Sequence, residues 1–184
     1  MRFHLVICFL LGLFLTKFSV ALIFKMTNVM CETYNKTWFE FHHCRLKAVS
    51  RDRVVFNMNG TILHPASNIQ TKIKIYKREN GLKPWLVDVK IETCRFMRTR
   101  YDPVAKIVFG LFQQFSNINH TCPYVGPQVL EGFYLKPELL GLPFPTGQYL
   151  LALRWYFDKR LQFDTNVSFL FVEDHVKSDR IQSN

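Results

Sequence analysis

Apolar side chains recur at every second position along stretch after stretch of this chain, which confines most of it to half-buried β-strands. Trp85, Val87, Val89 and Ile91 share one phase, and Asp88, Lys90 and Glu92 hold the other. Ile69, Ile73 and Ile75 stand against Gln70, Lys72 and Lys74. Val54, Phe56, Met58 and Ile62 alternate with Arg53, Asn57, Asn59 and Thr61. Two closing strands follow the same rule. Tyr149, Leu151, Leu153, Trp155 and Phe157 fill one side of the first, and Leu161, Phe163, Val167, Phe169 and Phe171 oppose Gln162, Asp164, Asn166 and Ser168 in the second. An opening strand is predicted over 23–31 and another over 38–49. In the latter, Phe39 and Phe41 lie in one phase and Cys44, Leu46 and Ala48 in the other. The break at His42-His43 predicts a bulge, because strand side chains alternate with period two. Asn80-Gly81 marks a turn. A short strand is expected over 128–134, then a loop through Pro137, Gly141, Pro143, Pro145 and Gly147.

One segment departs from this pattern. Val104, Ile107, Val108, Leu111, Phe112 and Phe115 recur with helical spacing. Asp102 can cap the start, and Pro103 suits the first turn. A helix is predicted over 103–116. Seven or eight strands with short turns and one inserted helix define an all-β class, an immunoglobulin-like two-sheet sandwich. A closed lipocalin-like barrel is the rival. The insertion over 102–122 favours the sandwich.

Residues 1–21 read as a secretory signal: Arg2, an apolar core over 5–15, then Ser19-Val20-Ala21 at the cleavage position. That core is short for a membrane span. A single domain is expected over 22–172, followed by a polar tail over 173–184, in a secreted, extracellular protein. Cys8 leaves with the signal, so Cys31, Cys44, Cys94 and Cys122 form an even set in an oxidising compartment. No pair has the two-to-four-residue spacing of a structural zinc site. Four sequons begin at Asn35, Asn59, Asn119 and Asn166, and each calls for a solvent-facing asparagine. Without Arg2 and Lys17 the charge is 22 basic against 14 acidic residues. Secretion excludes nucleic acid as the partner of this charge and leaves anionic lipid, sulfated glycan or an acidic protein.

No catalytic constellation is legible. There is no phosphate loop and no His-Glu-x-x-His. His42 and His43 point to opposite strand faces unless the bulge reorients one. Asp88 and Glu92 flank Lys90 on a polar face rather than in a sugar cleft. Ser50, Ser67 and Ser116 lack a nucleophile elbow. No enzyme activity, cofactor or metal is expected.

Several segments together carry a likeness to a known family. They include Phe24-Lys25-Met26-Thr27-Asn28-Val29-Met30-Cys31 and the stretch 77–96, with Asn80-Gly81-Leu82-Lys83-Pro84-Trp85-Leu86 and Thr93-Cys94-Arg95-Phe96. Asn119-His120-Thr121-Cys122-Pro123-Tyr124, Leu142-Pro143-Phe144-Pro145 and Gly147-Gln148-Tyr149 continue the pattern. Over about residues 24–171 the chain resembles the insect family of secreted domains of unknown function related to the CheB chemosensory proteins. That family is itself similar to lipid-recognition (ML-like) sandwich domains. The resemblance implies two sheets that part around an acyl chain or other apolar ligand, and some relatives are linked to pheromone perception. It carries over no catalytic residues. Four cysteines allow three pairings. Local closure together with the resemblance implies Cys31–Cys44 and Cys94–Cys122.

The expected function is binding of a small hydrophobic ligand, a lipid or cuticular hydrocarbon, in chemosensation. The candidate wall combines Phe56, Met58, Trp85, Val87, Val89, Leu111, Phe112, Phe115, Leu153, Trp155, Phe163 and Phe169. The alternative is an extracellular glycoprotein that binds a receptor or matrix protein through its surface, with no lipid cavity. An apolar cavity above roughly 300 Å³ favours the first reading. A filled core with one broad patch favours the second. No membrane anchor is expected in either case.

Overall fold

The computed structural model describes residues 21–50, 53–140 and 144–174. Of the predicted signal, 1–21, only Ala21 is described, at the start of a strand, and of the predicted tail, 173–184, only Glu173 and Asp174, which end one. Two sheets carry the strands. The larger runs in the order β1 (Ala21–Thr33), β8 (Arg160–Asp174), β7 (Gly147–Phe157), β4 (Ile69–Glu79) and β5 (Gly81–Glu92). The smaller runs β2 (Phe39–Ser50), β3 (Arg53–Ala66) and β6 (Tyr124–Phe133). The ladders β2–β3, β3–β6, β4–β5, β4–β7 and β7–β8 are antiparallel. This is a β-sandwich with its own strand order, distinct from the A-B-E-D and C-F-G sheets of immunoglobulin domains.

The alternation places the strands as expected. Ile69, Thr71, Ile73 and Ile75 are buried on β4, as are Phe56, Met58 and Ile62 on β3. The β2–β3 register breaks between Phe41 and His43, where the bulge was predicted. The outer phase of β8 needs correction. Gln162 and Asp164 are buried rather than solvated. The connection after β1 folds over them: the Tyr34 hydroxyl donates to Asp164 at 2.9 Å, and the Tyr34 N–H donates to the Gln162 carbonyl at 2.7 Å.

Two α-helices, not one, stand between β5 and β6, the first of them before the predicted insertion. Helix α1 (Thr93–Thr99) takes over where β5 ends, so Thr93 is helical although it continues the alternation of Trp85, Val87, Val89 and Ile91. Glu92 caps it, accepting the N–H groups of Cys94 and Arg95 at 3.1 and 2.6 Å. Helix α2 (Pro103–Phe112) is capped by Asp102, which accepts the Ala105 N–H at 2.8 Å. A 3-10 turn, Gln113–Phe115, follows it. Both expected disulfides are present, with Cα–Cα distances of 6.3 Å for Cys31–Cys44 and 5.5 Å for Cys94–Cys122. Cys31–Cys44 closes a short loop in sequence but not within one sheet. It ties β1 of the larger sheet to β2 of the smaller. Cys94 reaches Cys122 from α1, not from a strand. Of the sequon residues, Asn59 and Asn119 are exposed and Asn35 and Asn166 half-buried. The Asn166 amide donates to Asp164 at 3.4 Å.

Candidate functional site

Cross-strand rows on the inner face of the larger sheet build the site. Trp155 lies opposite Phe163, Leu153 opposite Thr165, Leu151 opposite Val167, and Tyr149 opposite Phe169. β4 adds Ile73 beside Leu153 and Ile75 beside Leu151. Rings therefore fill both ends, and smaller side chains fill the middle. At one end Phe39 of the smaller sheet stacks on Phe163 with centroids 3.8 Å apart, and Trp155 stacks on the same ring at 5.6 Å. At the other, Phe144 meets Tyr149 edge-on at 4.8 Å, and Phe24 meets Phe169 at 5.3 Å. The Phe39–Phe163 stack joins the two sheets, whereas the rings at the other end come from the larger sheet and from Phe144, which precedes β7. The middle rows are too short to fill the gap between the sheets.

An apolar cavity of about 120 Å³ results. It is roughly ten times the smallest space that holds one water. Phe56, Met58 and Ile62 of β3 and Leu130 of β6 face it from the smaller sheet, and Ile107, Val108, Leu111 and Phe112 of α2 cover one side. Leu151, Leu153 and Trp155 stay half-buried although they sit on the inner face of β7, with a strand on either side. In a filled core they would be fully covered. Among the described residues, Thr93, Ser116, Gln128 and Thr165 are the polar side chains in the lining besides Tyr124, and no charged side chain takes part. A second cavity of about 40 Å³ lies under the helices and shares Thr93, Val108, Phe112, Ile118, Leu153 and Trp155 with the first. Those six side chains stand between the two spaces.

Tyr124 lines the cavity and is almost fully buried. Its hydroxyl donates to the His120 carbonyl. Burial pushes the phenol up to about 12, outweighing the opposing pull of Arg100 and of that hydrogen bond.

Eight of the twelve predicted wall residues meet at this cavity: Phe56, Met58, Leu111, Phe112, Leu153, Trp155, Phe163 and Phe169. Trp85, Val87 and Val89 do not line it. They belong to edge strand β5, and their faces pack into the core beside it. Trp85 lies 6.3 Å from the Tyr149 ring, under the Lys77 ammonium at 5.2 Å, and its indole N–H is buried without an acceptor. Phe115 is also displaced. The α-helix ends at Phe112, and the 3-10 turn rotates Phe115 out of the stripe onto Phe133 and Tyr134, at 5.5 and 5.4 Å. Ile62, Ile75, Leu151, Thr165 and Val167 also line the space although the candidate wall did not include them; the four apolar ones stand in the apolar phase of their strands. A signal for three of them stands in two strands. Tyr149-x-Leu151-x-Leu153-x-Trp155 and Phe163-x-Thr165-x-Val167-x-Phe169 both read ring, small, small, ring.

Among the described residues, no group of three or more His, Cys, Asp or Glu side chains is placed to hold a metal. No helix there is long and apolar enough to cross a membrane. Residues 71–151 match the model of a family described as "Protein of unknown function (DUF1091)". The match begins in β4 and ends in β7, so it takes in both helices and β6. No curated protein sequence matches the chain.

Proposed function

We propose that the chain is a secreted, non-enzymatic binding protein for a small, uncharged apolar molecule held between its sheets. The observation that carries this reading is the half-exposure of Leu151, Leu153 and Trp155 onto an apolar cavity at the centre of the fold. An apolar chain laid there gains about 0.8 kcal/mol per CH₂ removed from water. A carboxylate or phosphate would find no cation in the lining to offset its desolvation. The proposal therefore narrows the expected lipids and hydrocarbons to neutral ones, or to those whose head remains outside. The likeness to the insect secreted family related to CheB proteins, and through it to ML-like lipid-recognition sandwiches, supports the same function and a role in chemosensation. Two disulfides agree with an extracellular setting.

The cavity is smaller than the ~300 Å³ usual for ligand pockets. A long ligand must therefore move the Phe112 and Trp155 wall and join the two spaces. This size favours the second reading, an extracellular glycoprotein acting through its surface. Native mass spectrometry of secreted protein, followed by a panel of hydrocarbons, sterols, fatty acids and glycolipids, separates the two. Retention of neutral apolar species supports the carrier. Retention of none, with unchanged stability across the panel, leaves the surface reading in its place.

A further inference from the structure

The arm formed by β4 and β5 keeps features for which the sandwich has no use. Leu86 sits at φ 47°, in the left-handed region that bulky side chains avoid. Its side chain is not buried in return, since Leu86 is 63% exposed. It lies in the register break between the Lys74–Asp88 and Tyr76–Pro84 pairs. Glycine adopts this backbone without strain, so the fold alone gives no reason for leucine here. Leu82, close by on the same strand, is 46% exposed.

The arm is also basic. It carries Lys72, Lys74, Lys77, Arg78, Lys83 and Lys90 against Glu79, Asp88 and Glu92. Each acid is already engaged. Asp88 pairs with Lys74 at 3.0 Å and Lys72 at 3.5 Å, and Glu79 with Lys83 at 3.1 Å and Lys77 at 3.3 Å. Glu92 caps α1. Arg78 and Lys90 are exposed and form no ion pair among the described residues, although the Lys90 ammonium rests over the Tyr156 ring at 5.1 Å. β5 ends its sheet, so the arm stands at a rim of the sandwich.

We propose that this arm docks edge-on against an anionic phospholipid surface. Leu82 and Leu86 enter the interfacial layer, and Arg78 and Lys90 meet the headgroups. Exposed apolar side chains beside exposed cations that no carboxylate neutralises are what such a surface attracts. A sulfated glycan would engage the cations but would have no use for the leucines. Asn166 lies on β8, three strands from β5 and so about 14 Å away. A glycan there leaves the rim accessible. The docking does not depend on the cavity, so it stands or falls separately from the carrier reading.

The test is co-sedimentation of the full chain with vesicles of phosphatidylcholine alone and of phosphatidylcholine mixed with phosphatidylserine. Binding is expected to the mixed vesicles and to weaken with added salt. The double variant Leu82→Ser, Leu86→Ser is expected to lower partitioning roughly tenfold through lost apolar burial. Arg78→Gln with Lys90→Gln is expected to lower it roughly tenfold or more through lost headgroup attraction. Leu86→Gly separates docking from folding. It is expected to keep or raise Tm, because glycine suits the backbone, while weakening vesicle binding. A leucine with a purely structural role would lower Tm instead. Equal binding to both vesicle types, or to neither, overturns the proposal. So does binding to heparin that survives loss of the two leucines but not of the two cations, which assigns the arm to a sulfated glycan.

Discussion

The ends of the sandwich and its middle are built from the same strands, yet one is solid and the other hollow. At the ends, Phe39, Phe163 and Trp155, or Tyr149, Phe169 and Phe144, meet ring against ring. In the middle, Leu151 faces Val167 and Leu153 faces Thr165. At the Phe39 end a ring from each sheet spans the gap, and the smaller side chains of the middle rows leave space between the sheets. A cavity can therefore be placed by side-chain size alone, with no change in strand geometry. Stability should then reside mainly in the ends and binding in the middle.

The sharpest way to break this contrast is to truncate a side chain in each region. Phe39→Ala should cost about 3–5 kcal/mol in denaturant unfolding, because Phe39 is fully buried and stacked. Leu153→Ala should fall near the low end of about 2–5 kcal/mol, since part of that side chain already faces empty space. Equal losses would remove the distinction.

Gly60→Ala probes the solid end from the other direction. A Cβ there would lie 2.5 Å from the Phe39 ring and 2.9 Å from the Glu40 carbonyl oxygen. A loss of about 1–3 kcal/mol is expected, read as a lowered urea midpoint. The opposite change in the middle, Leu151→Phe, adds volume where there is room. Its stability should stay within about 1.5 kcal/mol of the parent, while affinity for an apolar ligand falls. A large loss of stability would show that the middle is as tightly packed as the ends.

Much of this contrast was legible in the sequence. The period-two alternation placed Phe56, Met58, Leu153, Trp155, Phe163 and Phe169 on inner faces. Asp102-Pro103 announced the start of α2. What alternation cannot give is which strands become neighbours. Tyr149 and Phe169 become one row only once β7 pairs with β8, and the hollow is a property of rows rather than strands. Helix α1 was hidden for a different reason. Thr93 continues the alternation of β5, and the switch to helix depends on the Glu92 carboxylate turning back to cap two N–H groups. The bridge between β1 and β2 was read as a local clasp because sequence neighbours usually pair. Here it spans the two sheets.

The smallest expected effect is alkaline. The Tyr124 phenol is raised to about 12 by burial, against about 10 in the unfolded chain. Its contribution to stability is complete below pH ~10 and is lost as pH rises through the folded value, because the unfolded chain gives up the proton first. The Tm advantage of the parent over Tyr124→Phe should therefore shrink between pH ~10 and ~12. An advantage that stays constant over that range would contradict the burial argument.

The most direct test of the hollow middle uses Trp155. It lines the cavity, whereas Trp38 and Trp85 do not. In a chain carrying Trp38→Phe and Trp85→Phe, the remaining fluorescence reports from the cavity wall. Titration with a neutral brominated alkane should quench it saturably, and Leu151→Phe should weaken that quenching. Unquenched Trp155 emission in the folded chain at saturating alkane would contradict the account, because it would mean that no apolar molecule reaches the space between the sheets.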